Sequence, residues 1–280
     1  MTKHIPLGPI DIVSFTGPDA VRFLNGQLTQ DVRTVADGTR AAFSCVTDAK
    51  GRLQFRIVLT ADDGGTILAA TAPDTGEDLH ARLTRYLIAD DAEGTTTPGA
   101  WEIHHFIGTP PARPAGVLAR AIERFGEPGC DWWVPSGTNI TLPHDAETFE
   151  ANALESLRIN RAIPAWGKEI TEGMLPPEAH LEPTDISYQK GCYIGQEVIS
   201  RIKSAGRVNR LLTRFEIQAA TAEPGPLTDA SGRAAGTITS IAPATSDALT
   251  RAALGFLKRT ADPESLKREN TPVRIVPKLR

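Results

Sequence analysis

The apolar pattern of this chain changes character at Gly206, and that change limits its folds more than any other feature. Beyond it run short apolar–polar alternations, Leu211 to Ile217, Ala235 to Ile241, Ala252 to Leu257 and Val273 to Val276, punctuated by Gly225, Gly232, Gly236 and Gly255. Alternation with period two sends successive side chains to opposite faces of a strand, and glycine supplies the turns between strands. Several short strands with little helix predict a small β-barrel or sandwich over residues 206–280. The boundary falls near Lys203 to Arg207 and leaves residues 1–205 as a separate region.

That first region mixes helix and strand periods, as an α+β fold does. Residues 5–15 read as a strand and Thr16-Gly17-Pro18-Asp19 as a turn, with Pro18 at the first position of a helix whose Val21, Leu24 and Leu28 form one face. Ala41 to Val46 and Arg52 to Leu59 flank Thr47-Asp48-Ala49-Lys50-Gly51, a hairpin pattern. A strand at Thr66 to Ala70 leads into a helix from Asp74 to Leu87, with Leu79, Leu83 and Leu87 one turn apart and Arg82 and Arg85 read as surface charges. Residues 94–145 carry a strand pattern at Trp101 to Ile107, a helical one at Leu118 to Phe125, and Trp132-Trp133, whose alternate faces favour core packing over ligand stacking. A further helix starts at Asp145, repeats through Phe149, Ala153 and Leu157, and stops near Arg158-Ile159-Asn160 because Pro164 follows. Residues 160–190 have little periodicity, and so long an irregular stretch points to function.

Composition closes several routes. A net charge of −4 argues against extended nucleic-acid binding, and Arg201, Lys203, Arg207 and Arg210 read as a solvated patch. No apolar run is long enough for a signal peptide or a bilayer span, so a cytoplasmic protein is expected. Three scattered cysteines, Cys45, Cys130 and Cys192, with no CxxC fit a reducing compartment. The adjacent His104 and His105 would face opposite ways on a strand, so no metal site is predicted.

The densest chemistry lies in Lys190-Gly191-Cys192-Tyr193-Ile194-Gly195-Gln196-Glu197, which runs into a helical segment. A lysine and a helix start beside a thiol favour its thiolate. The residues alone leave Cys192 open as a buried small hydrophobe, a reactive thiolate or a cluster ligand. Cys130, beside Asp131 and without a neighbouring cation, reads as structural.

This stretch resembles the KGCYxGQE signature of the YgfZ-type folate-binding proteins, bacterial relatives of the glycine cleavage T-protein, an aminomethyltransferase. The resemblance spans nearly the whole chain: Gly17-Pro18-Asp19-Ala20 to Asp31 is similar to the family's N-terminal pattern, Asp48-Ala49-Lys50-Gly51-Arg52 to its hairpin, and Gly236 to Ser240 with Ala253-Leu254-Gly255 to its terminal barrel. It implies an α+β multi-domain ring around a central folate channel, with two interleaved α+β subdomains in 1–205 and a small C-terminal β-barrel. It also implies a tetrahydrofolate-binding factor that assists iron–sulfur cluster assembly or repair, working as a monomer with iron–sulfur client or assembly proteins and with tetrahydrofolate or a one-carbon derivative as cofactor.

By the same resemblance Cys192 is the functional thiol. Lys190 would meet a folate glutamyl tail or tune that thiol, and Tyr193 and Gln196 would face the folate or satisfy the loop. Glu178 would border the channel, and Asn25 and Gln27 would face it from the end of the first helix. Two positions depart from the T-protein pattern. Its paired hairpin aspartates fall on Phe55 and Arg56, and its pterin-holding glutamate on Asn160, which still offers an amide. Folate binding without aminomethyl transfer is therefore expected, with a folate-dependent aminomethyl or one-carbon transferase as the alternative. A folate-independent thiol transferase would need a base, for which His180 is the candidate.

Overall fold

The computed structural model describes residues 2–142, 144, 146–204, 206–218, 223–244 and 249–277. In chain order the elements are β1 (Lys3–Thr16), α1 (Ala20–Gln27), β2 (Ala42–Thr47), β3 (Leu53–Ala61), β4 (Ile67–Thr71), α2 (Gly76–Thr84), β5 (Glu93–Ile107), β6 (Leu118–Glu123), β7 (Pro128–Pro135), β8 (Glu147–Thr148) and α3 (Ala151–Asn160). They continue with α4 (Glu182–Asp185), α5 (Gln196–Ser204), β9 (Arg210–Ile217), β10 (Gly225–Thr228), β11 (Ala234–Ile241), β12 (Arg251–Lys258), β13 (Leu266–Arg268) and β14 (Thr271–Val276). Two compact units form, and neither is continuous: Met1–Phe149 with Glu182–Ser200, and Glu150–Leu181 with Arg201–Arg280. Residues 150–181 thus group with the barrel, whereas the sequence places all of 1–205 in one region.

The first unit is built on a sheet of order β2-β3-β4-β1-β5-β7-β6, with β8 pairing in parallel with the start of β1. Its two faces follow from period-two alternation. Val13, Phe15, Ile57, Leu59, Ile67 and Ala69 form one face, covered by Phe23 and Leu24 of α1 and Leu79 and Leu83 of α2. Ile12, Val58, Leu68, Ile103, Leu118 and Trp133 form the other. The segment leading into β2 also bonds to β6, through Ala41 N–H to the Ala121 carbonyl at 2.9 Å and Ala121 N–H to the Thr39 carbonyl at 3.2 Å, which draws the two ends of the sheet together. Trp132 and Trp133 are both buried, on opposite faces.

Three local expectations are corrected here. Leu118 to Phe125 forms β6 and its following turn rather than a helix. The spacing of Leu118 and Ile122 suits both periods, and pairing with β7 decides for strand. Pro18 lies in the turn, and α1 begins at Ala20 with Asp19 before it; the buried face is Ala20, Phe23, Leu24 and Gln27, with Val21 at its margin. The third helix begins at Ala151, because Glu147 and Thr148 are taken up by pairing with Lys3 and His4. Asp145, its expected cap, lies outside the described residues.

The second unit carries a closed barrel of order β10-β11-β12-β9-β14-β13, filled by Phe215, Ile217, Leu227, Ile238, Leu266 and Val273 among others. α3 and its following loop join it through a buried polar network. Arg158 donates to Glu169 at 2.7 Å and to Ser240 at 2.8 Å, and Glu169 accepts from Ser240 at 2.6 Å and Thr239 at 2.7 Å. Hydrogen bonds from Arg158 are the largest influence on Glu155, whose carboxyl is held down at about 2 although partial burial opposes this.

Candidate functional site

The Lys190–Glu197 stretch lies in the first unit, across the end of α1 and the β2–β3 turn. An α-helix leaves its last carbonyls without intrahelical partners, and this loop supplies them. Lys190 Nζ donates to the carbonyls of Asn25 and Leu28 at 2.7 Å each and of Gln30 at 2.8 Å, and Ile194 N–H donates to the Gly26 carbonyl at 3.2 Å. The cation also sits at the negative end of the helix. Further stitches run from Ser187 N–H to the Thr29 carbonyl at 2.9 Å, from Thr29 Oγ1 to the Asp185 carbonyl at 2.6 Å, and from Thr47 Oγ1 to the Ile194 carbonyl at 2.6 Å.

Gly195 is required where the loop crosses the hairpin. Its φ is +86°, and a Cβ there would stand 2.5 Å from the Asp48 carbonyl oxygen and 2.9 Å from the Gly51 Cα. Arg82 organises the same corner, donating to Gln54 Oε1 at 2.5 Å, Gln27 Oε1 at 3.2 Å and the Thr47 carbonyl at 2.8 Å. It is a half-buried linking residue rather than the surface charge expected from its place off the leucine stripe.

Lys190 needs the clearest correction. All three of its N–H bonds go to backbone carbonyls, so the ammonium has no donor left for an anionic tail. It lies 5.4 Å from the centroid of the Tyr193 ring, and burial lowers its pKa to about 8 although Asp31 opposes this. Cys192, in contrast, is exposed, while Cys130 is half-buried and Cys45 buried. The buried-hydrophobe reading of Cys192 is therefore excluded. Tyr193 is 6% exposed, and its hydroxyl is sealed from solvent without a hydrogen-bond partner among the described residues. Gln196 begins α5 half-buried, Asn25 Oδ1 accepts from Val32 N–H at 3.1 Å, and buried Gln27 meets Arg82. Cys192, Lys190, Tyr193, Gln196, Asn25 and Gln27 thus share one corner of the first unit.

Beside that corner is a cluster the sequence left unread. Cys45 and Arg56 are cross-strand neighbours on β2 and β3. Arg56 donates to the two carboxylate oxygens of Asp185 at 2.7 and 3.1 Å, and Thr184 Oγ1 to Asp185 Oδ1 at 2.5 Å. Burial first, and then Asp185, pushes the Cys45 thiol well above its ordinary pKa, so it is inert at neutral pH. A signal existed in Arg56 itself, since an arginine on a largely apolar strand calls for a buried carboxylate. Which carboxylate answers it, 129 positions away, is a matter of tertiary structure.

Asn160 and Glu178 belong to the second unit. Asn160 Nδ2 donates to the Ser156 carbonyl at 2.8 Å, and Glu178 pairs with Arg210 at 2.9 Å. His180, also in that unit, bonds through its ring to the Leu212 carbonyl at 3.1 Å. Among the described residues no three His, Cys, Asp or Glu side chains converge as metal ligands, and no helix is long and apolar enough to cross a membrane. His104 and His105 diverge as expected: His104 Nδ1 lies 2.9 Å from His4 Nε2, and His105 Nδ1 lies 2.8 Å from Asp131.

No family model matches the chain. Among curated proteins it is 24% identical over 230 residues to the mitochondrial iron–sulfur cluster assembly factor IBA57 homolog of Neurospora crassa, covering 71% of this chain and 50% of that protein. It is 26% identical over 242 residues to the tRNA-modifying protein YgfZ of Edwardsiella ictaluri, covering 75% of this chain and 71% of that one. The match thus spans half the length of the first relative and about seven-tenths of the second. Among solved structures the glycine cleavage system aminomethyltransferase T from Bartonella henselae superposes with a TM-score of 0.77 at 15% identity, over 98% of this chain and 84% of that one, which establishes a shared fold.

Proposed function

This chain is a YgfZ-type relative of the glycine cleavage T-protein, and from that premise we propose that it is a tetrahydrofolate-binding factor for iron–sulfur cluster assembly or repair, with Cys192 as its working thiol. The observation that carries the proposal is the contrast between Cys192 and its surroundings: the thiol is exposed, while residues on both sides of it are pinned to α1 and the hairpin. A thiol held out on an anchored loop suits transfer or exchange with a partner protein. The names of the relatives, an iron–sulfur assembly factor and a tRNA-modifying protein, support the same direction. The net charge of −4 favours protein clients over direct RNA contact. The cluster is cargo in this reading, since a cluster takes several thiolates and this corner offers one accessible thiol.

Folate is proposed to occupy part of the corner. Among the described residues the buried Tyr193 hydroxyl lacks a partner, and the Gln196 amide follows three residues along; these two, with the amides of Asn25 and Gln27, are the groups proposed to hold it. Within the second unit, taken by itself, Asn160 and Glu178 remain the proposed folate contacts. Bound tetrahydrofolate would supply one-carbon carrying capacity. Lys190 is withdrawn from the ligand set and acts as the helix clamp described above. Aminomethyl transfer is disfavoured, because the hairpin position that resembles the transfer carboxylate is Arg56, locked on Asp185. The protein is proposed to work as a cytoplasmic monomer.

The test separates the two parts. Cys192→Ser should abolish support of an iron–sulfur client enzyme in cells lacking the wild-type protein, while saturating tetrahydrofolate still raises the thermal midpoint, because a ligand of the native state must stabilise it. Full client activity from the variant would refute the thiol role. Absence of any folate shift in the wild type would refute the binding role.

A further inference from the structure

Two arginines of the first unit are bonded less completely than Arg82, Arg120 and Arg158. Arg82, Arg120 and Arg158 each place all three guanidinium nitrogens in hydrogen bonds to the protein. Arg56 and Arg124 do not. Arg56 spends Nε and Nη2 on Asp185, and Arg124 spends Nε and Nη2 on Asp131 at 2.5 to 2.9 Å, and both aspartate side chains are fully buried. Neither Nη1 has a hydrogen bond among the described residues, and neither is sealed from solvent.

The two groups also converge. The guanidinium carbon of Arg56 lies 4.2 Å, and that of Arg124 5.1 Å, from the centroid of the same ring, Phe43, so the two cations are within about 9 Å of each other. The bonds between the Thr39–Ala41 segment and β6 bring these strands together. The rest of the cluster is fixed. Asp131 is held by Arg124 and by His105 Nδ1, and His105 packs so closely over Gly129 that a Cβ there would stand 2.6 Å from its Nε2. Such bracing is the usual means of holding a recognition group at one geometry.

We propose that the outward Nη1 edges of Arg56 and Arg124, spread over Phe43, form a binding site for the oxyanion of a ligand, a carboxylate or a phosphoryl group. A guanidinium bonded along one edge keeps its other donors in a fixed plane, which matches an oxyanion better than a mobile ammonium does. The aspartates are bound on the inner edges, so they orient the cations without occupying the outer ones. The Phe43 ring, with both guanidinium groups over it, helps to hold their planes. Neither arginine is among the groups proposed to hold folate, although Arg56 occupies the hairpin position that resembles the transfer carboxylate.

The experiment uses the full chain with inorganic phosphate and with sodium acetate as separate probes, each at constant ionic strength set by chloride. At about 100 mM probe, an oxyanion held in the ten-millimolar range raises the thermal midpoint by about 2 to 4 °C. A rise with phosphate alone identifies a phosphoryl site, and a rise with acetate alone a carboxylate site. The double variant Arg124→Gln/Asp131→Asn removes one guanidinium without stranding a buried charge, and it should lose the shift. A direct readout on the wild type covers the case of a variant that does not fold: in protein labelled with 15N-arginine, the Nε–H signals of Arg56 and Arg124 should move with the effective probe while that of the fully bonded Arg120 stays. The proposal is overturned if neither probe shifts the wild type, if the double variant shifts equally, or if the Arg56 and Arg124 signals do not move.

Discussion

Lys190 Nζ donates to the Leu28 carbonyl at 2.7 Å across 162 positions of sequence, and with the Asn25 and Gln30 carbonyls this closes the end of α1. The signature lysine is thus first a folding residue. Lys190→Met keeps the apolar stem and removes three charge-assisted bonds, one of them buried and two half-buried. A loss of about 3 to 5 kcal/mol is expected. Lys190→Arg should not restore it, because a planar guanidinium cannot reach three carbonyls arranged around an ammonium. Urea unfolding of both variants decides the matter, and a loss below about 1 kcal/mol for Lys190→Met would contradict it.

Gly195 carries a second structural demand inside the same signature. Gly195→Ala places a methyl group 2.5 Å from the Asp48 carbonyl at a φ of +86°. Backbone strain and overlap together should destabilise by about 2 kcal/mol or more. The neighbouring Gly191→Ala meets nothing within 4 Å and should be close to neutral. Comparable thermal midpoints for the two variants would show that the loop yields rather than resists.

These two residues mark what was legible in the sequence and what was not. Strand and turn patterns near the signature read correctly, because the β2–β3 hairpin is a local structure with Asp48 accepting from Lys50 and Arg52 within its own turn. The partner of Lys190 did not, since its side chain reaches a helix end 162 positions away in sequence. Asp185 escaped notice for the same reason. β10 and β13 were missed because each contributes a single inward side chain, Leu227 and Leu266, and one residue carries no period. Leu118 to Phe125 misled because its spacing fits a helix until β7 is laid beside it.

The buried Arg158–Glu169 pair predicts strong coupling in the second unit. Glu169→Ala leaves Arg158 buried beside Ser240 with one carboxylate fewer and should destabilise by about 3 to 5 kcal/mol. The double variant Arg158→Met/Glu169→Met should cost less than the sum of the two single changes, because no uncompensated charge remains. Additive losses in denaturant unfolding would mean that the two side chains act separately.

Acid should weaken the first unit through His4. The residue is 4% exposed, and its ring stacks on Phe106 and bonds to His104 Nδ1 and Thr148 Oγ1. Burial, with His104 adding, lowers its pKa to about 4 from the ordinary 6.5. The unfolded chain therefore binds the proton first as pH falls. Stability is complete above about pH 6.5 and declines as pH drops toward 4, by up to about 3 kcal/mol from this group. His4→Phe should flatten that part of the profile. A wild-type urea midpoint that does not change between pH 7 and pH 5 would remove His4 as a titrating group of the fold.

Thiol reactivity is the remaining consequence, and it follows from burial more than from charge. Alkylation requires access to the sulfur and some thiolate. Cys45 has neither: it is fully buried, and burial with Asp185 raises its pKa well above the ordinary value. Cys130 is half-buried, and burial, then Asp131, raises its thiol as well. Cys192 is exposed on its anchored loop. In native protein, iodoacetamide followed by peptide mapping should therefore label Cys192 first, Cys130 more slowly and Cys45 only on unfolding. Alkylated Cys192 should leave the thermal midpoint within about 1 °C, since no packing is lost on modifying an exposed side chain. If Cys192 were the slowest of the three, the loop would have to close over the thiol in solution, and its role as a presented nucleophile would fall.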